Sequence, residues 1–471
     1  MSGDEEQYLR VSSSSSSSDE SSSAAGSRGG TSQWGTWFSI VCTMAGTGIL
    51  QLPYTLKQGG WATLGVLFLV GAMTRYTGKV LIQCLYDGAS KRESLLSVED
   101  ARAERRPRLS GYAAIGEAAF GRAGKVLVHI FHKATLVGVC TLFLILAAKF
   151  LMEGIGGGGN DGFFPSLGDG SPESVTKWTR IWTGVSLAVV CVPVVFVKTL
   201  KEISLVAGIG ATASMLTVLV TVILSMVLYP ISSSSPVPFP DAFQNTSFTH
   251  VNHTTINFGN FPSAFSGIAL SFGGHAVFPS IEEHMSSPRK FGKVFDFAYL
   301  ALMASYLLVG CVGYATFGNL TYSPILCNLP RNTSTVMGTI NTITKLIIAV
   351  HVLCAYPVLM NVVVNEIEGG AGIVSFLPRV AMRTLCLGVT GVVAIFVPFF
   401  PDVMELVGAL CLTMIVFIFP VLFSLKLRSD VSALEKAWGV AICAVGIFGG
   451  GKGTYEAILN ISHKLASGAV E

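Results

Sequence analysis

The sequence predicts an all-α polytopic membrane protein with 11 transmembrane helices, of which the first and sixth are broken. Three observations carry that expectation. Hydrophobic residues make up 51% of the chain and charged residues only 13%, with a mean hydropathy of +0.60 over 471 residues, a balance typical of chains that cross lipid repeatedly. Apolar runs long enough for a hydrocarbon core about 30 Å thick recur between short polar loops. Two of those runs share an interruption, paired glycines followed by a proline: "AGTGILQLP" at 45–53 and "ALSFGGHAVFP" at 269–279.

Residues 1–33 are of another kind, acidic at "GDEEQ", then serine from Ser12 to Ser18, then small residues through Gly30. Such a stretch cannot bury enough apolar surface to fold and reads as a disordered, solvated cytosolic tail. Its serines are open to phosphorylation, and "YLRV" at Tyr8 has the form of a tyrosine sorting signal. It lacks the basic start and short apolar core of a cleaved leader, so the first crossing, from about Trp34, is expected to act as an uncleaved signal.

The predicted spans are 34–57, 60–85, 124–153, 179–198, 202–229, 262–285, 293–318, 339–361, 378–398, 402–425 and 435–457. All are helical, because lipid offers no partner to open backbone groups. The transmembrane domain is therefore 34–457, followed by a short extracytosolic tail, 458–471. The loop 86–123 carries Lys91, Arg92, Arg102, Arg105, Arg106, Arg108 and Arg122, whereas 230–261 has no lysine or arginine, which places 86–123 in the cytosol. Glycosylation sequons at Asn245, Asn252, Asn319 and Asn332 all fall in loops that the charge asymmetry puts outside, as does Asn460 beyond the last span. A glycoprotein with its N-terminus in the cytosol follows.

Function classes narrow by the same means. The net charge of +3 sits in loops and follows topology, so nucleic acid is not a partner. Nine of ten cysteines lie in or beside apolar runs and Cys327 alone in a loop, so no disulfide framework is expected. No Cys/His cluster suggests a metal, no cofactor is implied, and nothing points to an enzyme. "GIFGGGKG" from Gly446 imitates a phosphate loop but has Gly453 where Ser or Thr is required, and no strand precedes it.

The two interruptions carry the function. Gly46 and Gly48 with Pro53, and Gly273 and Gly274 with Pro279, weaken the helical ladder near membrane mid-depth. Exposed backbone groups there must be lined by protein, water or ligand, although glycine also serves as a simple packing notch. Broken spans at corresponding positions of a five-plus-five arrangement point to an inverted-repeat transporter with its site at the midplane.

The motifs "GTGILQLPY" (46–54), "GGW" (59–61) and "FGGHAVFPSIEEHMSSP" (272–288) resemble the first and sixth helices of the amino acid/auxin permease (AAAP) family, closest in look to its vacuolar and vesicular amino-acid transporters. The resemblance spans 34–457 and implies a leucine-transporter-type (LeuT-type) fold, a five-plus-five inverted repeat plus one helix, with amino-acid substrates and secondary active transport. It implies that the substrate carboxylate meets the amides of Gly46, Thr47 and Gly48, with the Thr47 hydroxyl as a further donor. Ser271, Phe272, Gly273 and Gly274 would then offer carbonyls and floor the side-chain pocket. Half-helix ends suit such a zwitterion, donors and positive dipole for its carboxylate, carbonyls for its ammonium.

Ionisable residues inside the spans are weighed singly. His275, beside the second break, is the candidate for proton coupling, against a neutral histidine satisfied by a carbonyl. His129, His132 and His351 read as packed or cavity-lining groups. Glu282 and Glu283, beside His284, Arg289 and Lys290, read as an inner gate or as ordinary interfacial charges. Glu153 and Glu405 are possible proton carriers, and Asn361, Asn365 and Tyr356 are possible cavity groups. Sodium-coupled relatives carry Asn four residues before the first glycine of the break; Cys42 stands there, and a thiol is a poor ligand for a hard cation. The expected function is proton-coupled amino-acid symport or antiport by alternating access. Sodium coupling and an amino-acid receptor on the same fold remain alternatives, and a channel fits the paired breaks less well. The expected location is a vacuolar, lysosomal or plasma membrane.

Overall fold

The computed structural model describes residues 31–45, 48–93, 108–157, 162–164, 167–196, 200–234, 251–330, 333, 335–373 and 375–467. The first helix, α1 (Gln33–Met44), starts on Ser32, whose hydroxyl accepts from the Gly35 amide at 3.1 Å. Gly48 leads into a tight turn at Ile49–Gln51, and α2 (Leu52–Gly59) follows with Pro53 in its first turn, where a missing amide hydrogen costs nothing. α2 ends at Gly60, whose φ of +74° favours glycine. Thr31 is tied to the chain beyond the second break, its N–H donating to His284 O at 2.7 Å and its carbonyl accepting from Ser286 N at 2.9 Å.

α3 (Thr63–Glu93) precedes α4 (Tyr112–Ile155), which begins well before the predicted 124. It is two helices joined at Phe120 and Gly121, the latter with φ +64°. The periodicity from 124 marked only the apolar second part. α5 (Pro172–Phe196) and α6 (Leu200–Ser234) complete the first half. In the second half α7 (Phe261–Ser271) stops at the glycine pair and α8 (Phe278–Glu283) resumes with Pro279 in its first turn. α9 (Phe291–Phe317), α10 (Val336–Ala371) and α11 (Phe376–Phe396) are continuous. α12 (Phe400–Leu406) widens into a π-helical segment, Val407–Ile418, and closes as α13 (Phe419–Leu427). The last helix, α14 (Ala433–Ser467), runs past the predicted end at 457.

Eight helices among the described residues are long and apolar enough to cross a membrane, and Thr212–Leu228 within α6 is a shorter apolar stretch. The predicted spans 34–57 and 262–285 fall instead on pairs of short helices. The chain is an integral, multi-pass membrane protein. Its helices divide into inner and outer ones: 72% of the apolar window is buried in α4 and in 400–427, against 28% in α5, α11 and α14. Val192, Leu385 and Phe448 on the outer helices are correspondingly exposed, the surface a lipid bilayer would cover.

Two buried charges inside this bundle show the pairing that desolvation favours. Lys345 Nζ lies 2.6 Å from Glu153 Oε2, with both residues nearly inaccessible. Arg383 Nε donates to Glu368 at 2.6 Å, and its Nη2 donates to Asn365 Oδ1 at 3.1 Å.

Candidate functional site

Gly48 and Ser271 bring the interrupted elements into close approach. A Cβ on Gly48 would sit 2.8 Å from Ser271 Cα, so only glycine fits. The Ser271 hydroxyl reaches Gly48 O and Gly267 O, each at 3.0 Å. Both α1 and α7 point their C-terminal carbonyls at this seam, and α9 answers them with one side chain: Tyr306 Oη donates to Met44 O at 2.8 Å and to Ser271 O. One hydroxyl proton serves two carbonyls, so acceptor capacity remains at the negative ends of two helices, where an ammonium group is favoured.

Apolar contacts surround that polar knot. Phe272 is fully buried, stacked on Tyr299 at 5.9 Å and edge-on to Tyr306 at 5.0 Å. A Cβ on Gly273 would meet Leu412 at 2.9 Å, and one on Gly274 would meet the Phe278 ring at 2.5 Å and Met44 Cγ at 2.9 Å. Gly48, Ser271, Phe272, Gly273 and Gly274 are thus brought together, while Gly46 and Thr47 lie outside the described residues.

His275 is fully buried and faces α3, sharing a hydrogen bond of 3.0 Å between Nε2 and Thr77 Oγ1. His132 joins the same region, Nε2 lying 3.0 Å from Ala276 O, and His129 is 3.3 Å from Glu366. His351 pairs with Ser214 Oγ at 3.1 Å, away from the seam. Tyr356 Oη pairs with Thr390 at 2.6 Å, and Asn361 Oδ1 lies 3.5 Å from Arg383 Nη1, so these lie in packing between α10 and α11. Cys42 is half-buried on α1.

Glu282 and Glu283 differ. Glu282 is fully buried, where it accepts from Tyr86 Oη and from Arg108 Nε at 2.8 Å, and Arg108 Nη2 also donates to Pro279 O at 2.6 Å. Glu283 is half-exposed, 3.5 Å from Arg108. Arg108, one of the basic residues of 86–123, therefore fastens the chain just before α4 to α8 beside the second break.

A cavity of about 350 Å³ opens at the opposite end, lined by Tyr54, Lys57 and Gln58 of α2, Ser263 of α7, Glu405 of α12 and Glu456 of α14 among others. Asn252 and Asn319 lie together and exposed, the Asn319 N–H donating to Asn252 O at 2.9 Å; Asn245 and Asn332 are outside the described residues. The glycines of the false phosphate loop serve as a packing face: Cβ atoms on Gly449, Gly450 and Gly453 would meet Phe265, Thr413 and Ser266 within 2.5 Å. Sequence reading missed Tyr306 and the cavity, and it raised a gate between Glu282, Glu283 and the basic loops without singling out Arg108. A tyrosine inside an apolar run was the only signal for the first, and Arg108 meets Pro279 across 171 positions.

Residues 29–459 match the sequence profile of the family described as transmembrane amino acid transporter protein. The chain is 29% identical over 435 residues to amino acid transporter AVT1C of Arabidopsis thaliana, covering 90% of this chain and 69% of that protein. It is 24% identical over 435 residues to the vesicular GABA transporter of Caenorhabditis elegans, covering 87% and 77%. In shape it is similar to MhsT in complex with L-phenylalanine, with a TM-score of 0.52 and 12% identity over 90% of this chain and 98% of that one.

Proposed function

Because the chain belongs to the transmembrane amino acid transporter family, whose members are transporters rather than enzymes, we propose that it carries amino acids by alternating access around the seam between α1–α2 and α7–α8, driven by protons. The supporting observation is the convergence of the Met44 and Ser271 carbonyls on the single Tyr306 hydroxyl. In this reading the substrate ammonium takes the acceptor capacity left over there. Its carboxylate meets the amides of Gly46, Thr47 and Gly48 on the other side of the break, and Ser271, Phe272, Gly273 and Gly274 floor the pocket.

The eleven-span, five-plus-five arrangement belongs to the same proposal, with α1–α2 and α7–α8 as the corresponding broken spans. The Arg108–Glu282 clasp is the cytosolic closure and the cavity lined by Lys57 and Glu405 is the opposite approach, so the two ends alternate in access. Protons are favoured over sodium because Cys42 offers sulfur where a sodium site needs oxygen. His275, beside the break, responds to that proton. The location that fits the vesicular relative is an acidified internal membrane, with Asn245, Asn252, Asn319 and Asn332 on the lumenal face.

The test is uptake of a panel of radiolabelled amino acids into liposomes containing the purified protein, at two pH values, with and without sodium. Saturable, concentrative uptake that follows the pH gradient is expected. Binding without accumulation would make the protein a receptor instead.

A further inference from the structure

The cavity at the end away from Arg108 holds an unbalanced charge. Asp402, Glu405 and Glu456 all line it. Lys464 Nζ lies 2.6 Å from Asp402 Oδ2, and Lys452 Nζ lies 3.5 Å from Glu456 Oε1. Glu405 has no such cation among the described residues; it is 5% exposed, and its Oε1 has no hydrogen-bond partner. A carboxylate withdrawn from water without an ion-pair contact of its own is held at a penalty that an arriving proton removes. A proton is the ligand that removes this penalty at a single oxygen, with no further ligand groups required.

We propose that Glu405 is a proton-binding site loaded from this cavity, with Glu456 at its mouth as the first acceptor; this rests on the transport reading above. A proton delivered by hydronium to Glu456 passes on to Glu405 Oε1, leaving water and the Glu456 carboxylate behind, and departs by the same oxygen. Ser263 stands between the two carboxylates, its hydroxyl donating to Glu456 Oε2 at 3.0 Å and lying against Glu405. The other charged groups around Glu405 are Asp402 on its own helix, Lys464 on α14 and Lys57 on α2, whose Nζ donates to Thr321 O at 3.0 Å. α4 also packs against α12 and carries Lys149 and Glu153 near its C-terminus, Glu153 being held by Lys345. α7 and the residue before it present the uncharged Ser263 and Asn260 to the cavity, and the π-helical segment after α12 has Cys411 as its titratable group.

The position connects the proton to the break. Ser263 lies on α7, the helix that ends at Ser271. Three residues after Glu405, Gly408 brings the π-helical segment so close to α7 that a Cβ would fall 2.4 Å from Ser266 O. Charging or neutralising Glu405 therefore acts on the contact between α12 and α7, above the substrate seam.

The experiment uses the full chain in liposomes. Infrared difference spectra between acidic and neutral pH should show a carboxylic-acid carbonyl band in wild type, lost in Glu405→Gln, shifted in Glu405→Asp and kept in His275→Gln. In parallel, amino-acid uptake should change up to about ten-fold per pH unit in wild type, the limit for one coupled proton, and lose that slope in Glu405→Gln. A band unaltered by both Glu405 variants overturns the proposal. Wild-type uptake indifferent to pH would instead defeat proton-driven transport, while the infrared band still reports whether Glu405 binds a proton.

Discussion

Tyr306 reaches from α9 to carbonyls of both interrupted elements, and its hydroxyl can be removed without disturbing its ring. In Tyr306→Phe the edge-on packing with Phe272 persists, but Met44 O and Ser271 O lose their donor. We expect little loss of stability, about 1 kcal/mol per hydrogen bond, and a fall of roughly ten-fold or more in uptake if the carbonyls are positioned for substrate. Uptake equal to wild type would show that the hydroxyl only fills space. Gly48→Ala tests the same seam from the backbone, since its Cβ would fall 2.8 Å from Ser271 Cα; transport should be lost while the protein still elutes as a monodisperse species. Gly48 and Ser271 were legible in the sequence because a broken helix announces itself through glycine and proline. Tyr306 was not, because a lone tyrosine in an apolar run has no periodicity to mark its partner. Glu153, read from sequence as a possible proton carrier, is held by Lys345, 192 residues away, a pairing that no local pattern marks. Lys345→Met should destabilise by about 3–5 kcal/mol by stranding that carboxylate, and adding Glu153→Gln should recover much of the loss; thermal denaturation in detergent would measure both.

Among the helices, α14 shows how a misleading motif resolves once its neighbours are known. Gly446, Gly449, Gly450 and Gly453 recur at helical spacing, so one face of α14 is nearly bare backbone. That face admits Phe417, Phe265, Thr413 and Ser266 from the π-helical segment and α7. Gly451, on the exposed side, meets nothing within 4 Å. Gly450→Val should therefore lower thermal stability by about 1–3 kcal/mol through overpacking, whereas Gly451→Val should behave like wild type. Equal tolerance at the two positions would mean that α14 does not dock through this face. The glycine period could be read from sequence, but its partner could not, because α7 and α14 lie far apart along the chain. The kink in α4 escaped for a local reason: "FGRAG" at 120–124 looks like a loop end by hydropathy, yet Gly121 with φ +64° lets two helices join directly.

For the whole molecule, the question is what drives movement across the membrane, and the ends of the bundle frame it. One end is fastened by Arg108 across Glu282 and the Pro279 carbonyl, and the other opens into a cavity bearing Glu405. Charge asymmetry between loops leads to the expectation that the Arg108 end faces the cytosol, because topology depends on counts of lysine and arginine rather than on packing. Glu405 could be named from sequence as a possible proton carrier but not set apart from Glu153, because only the fold shows that Lys345 holds Glu153 while Glu405 Oε1 has no hydrogen-bond partner. Energetically a proton suffices: about 100-fold accumulation requires about 2.7 kcal/mol, and one proton crossing one pH unit and 100 mV releases roughly 1.4 and 2.3 kcal/mol. We therefore expect liposomes with an imposed pH gradient and no sodium to accumulate substrate, and a protonophore to abolish the accumulation. His275→Ala should alter the pH dependence if the histidine beside the break responds to the proton; an unchanged profile removes it from the mechanism. Strict dependence on sodium would overturn proton coupling outright, because Cys42 would then have to be bypassed by an oxygen site elsewhere in the bundle.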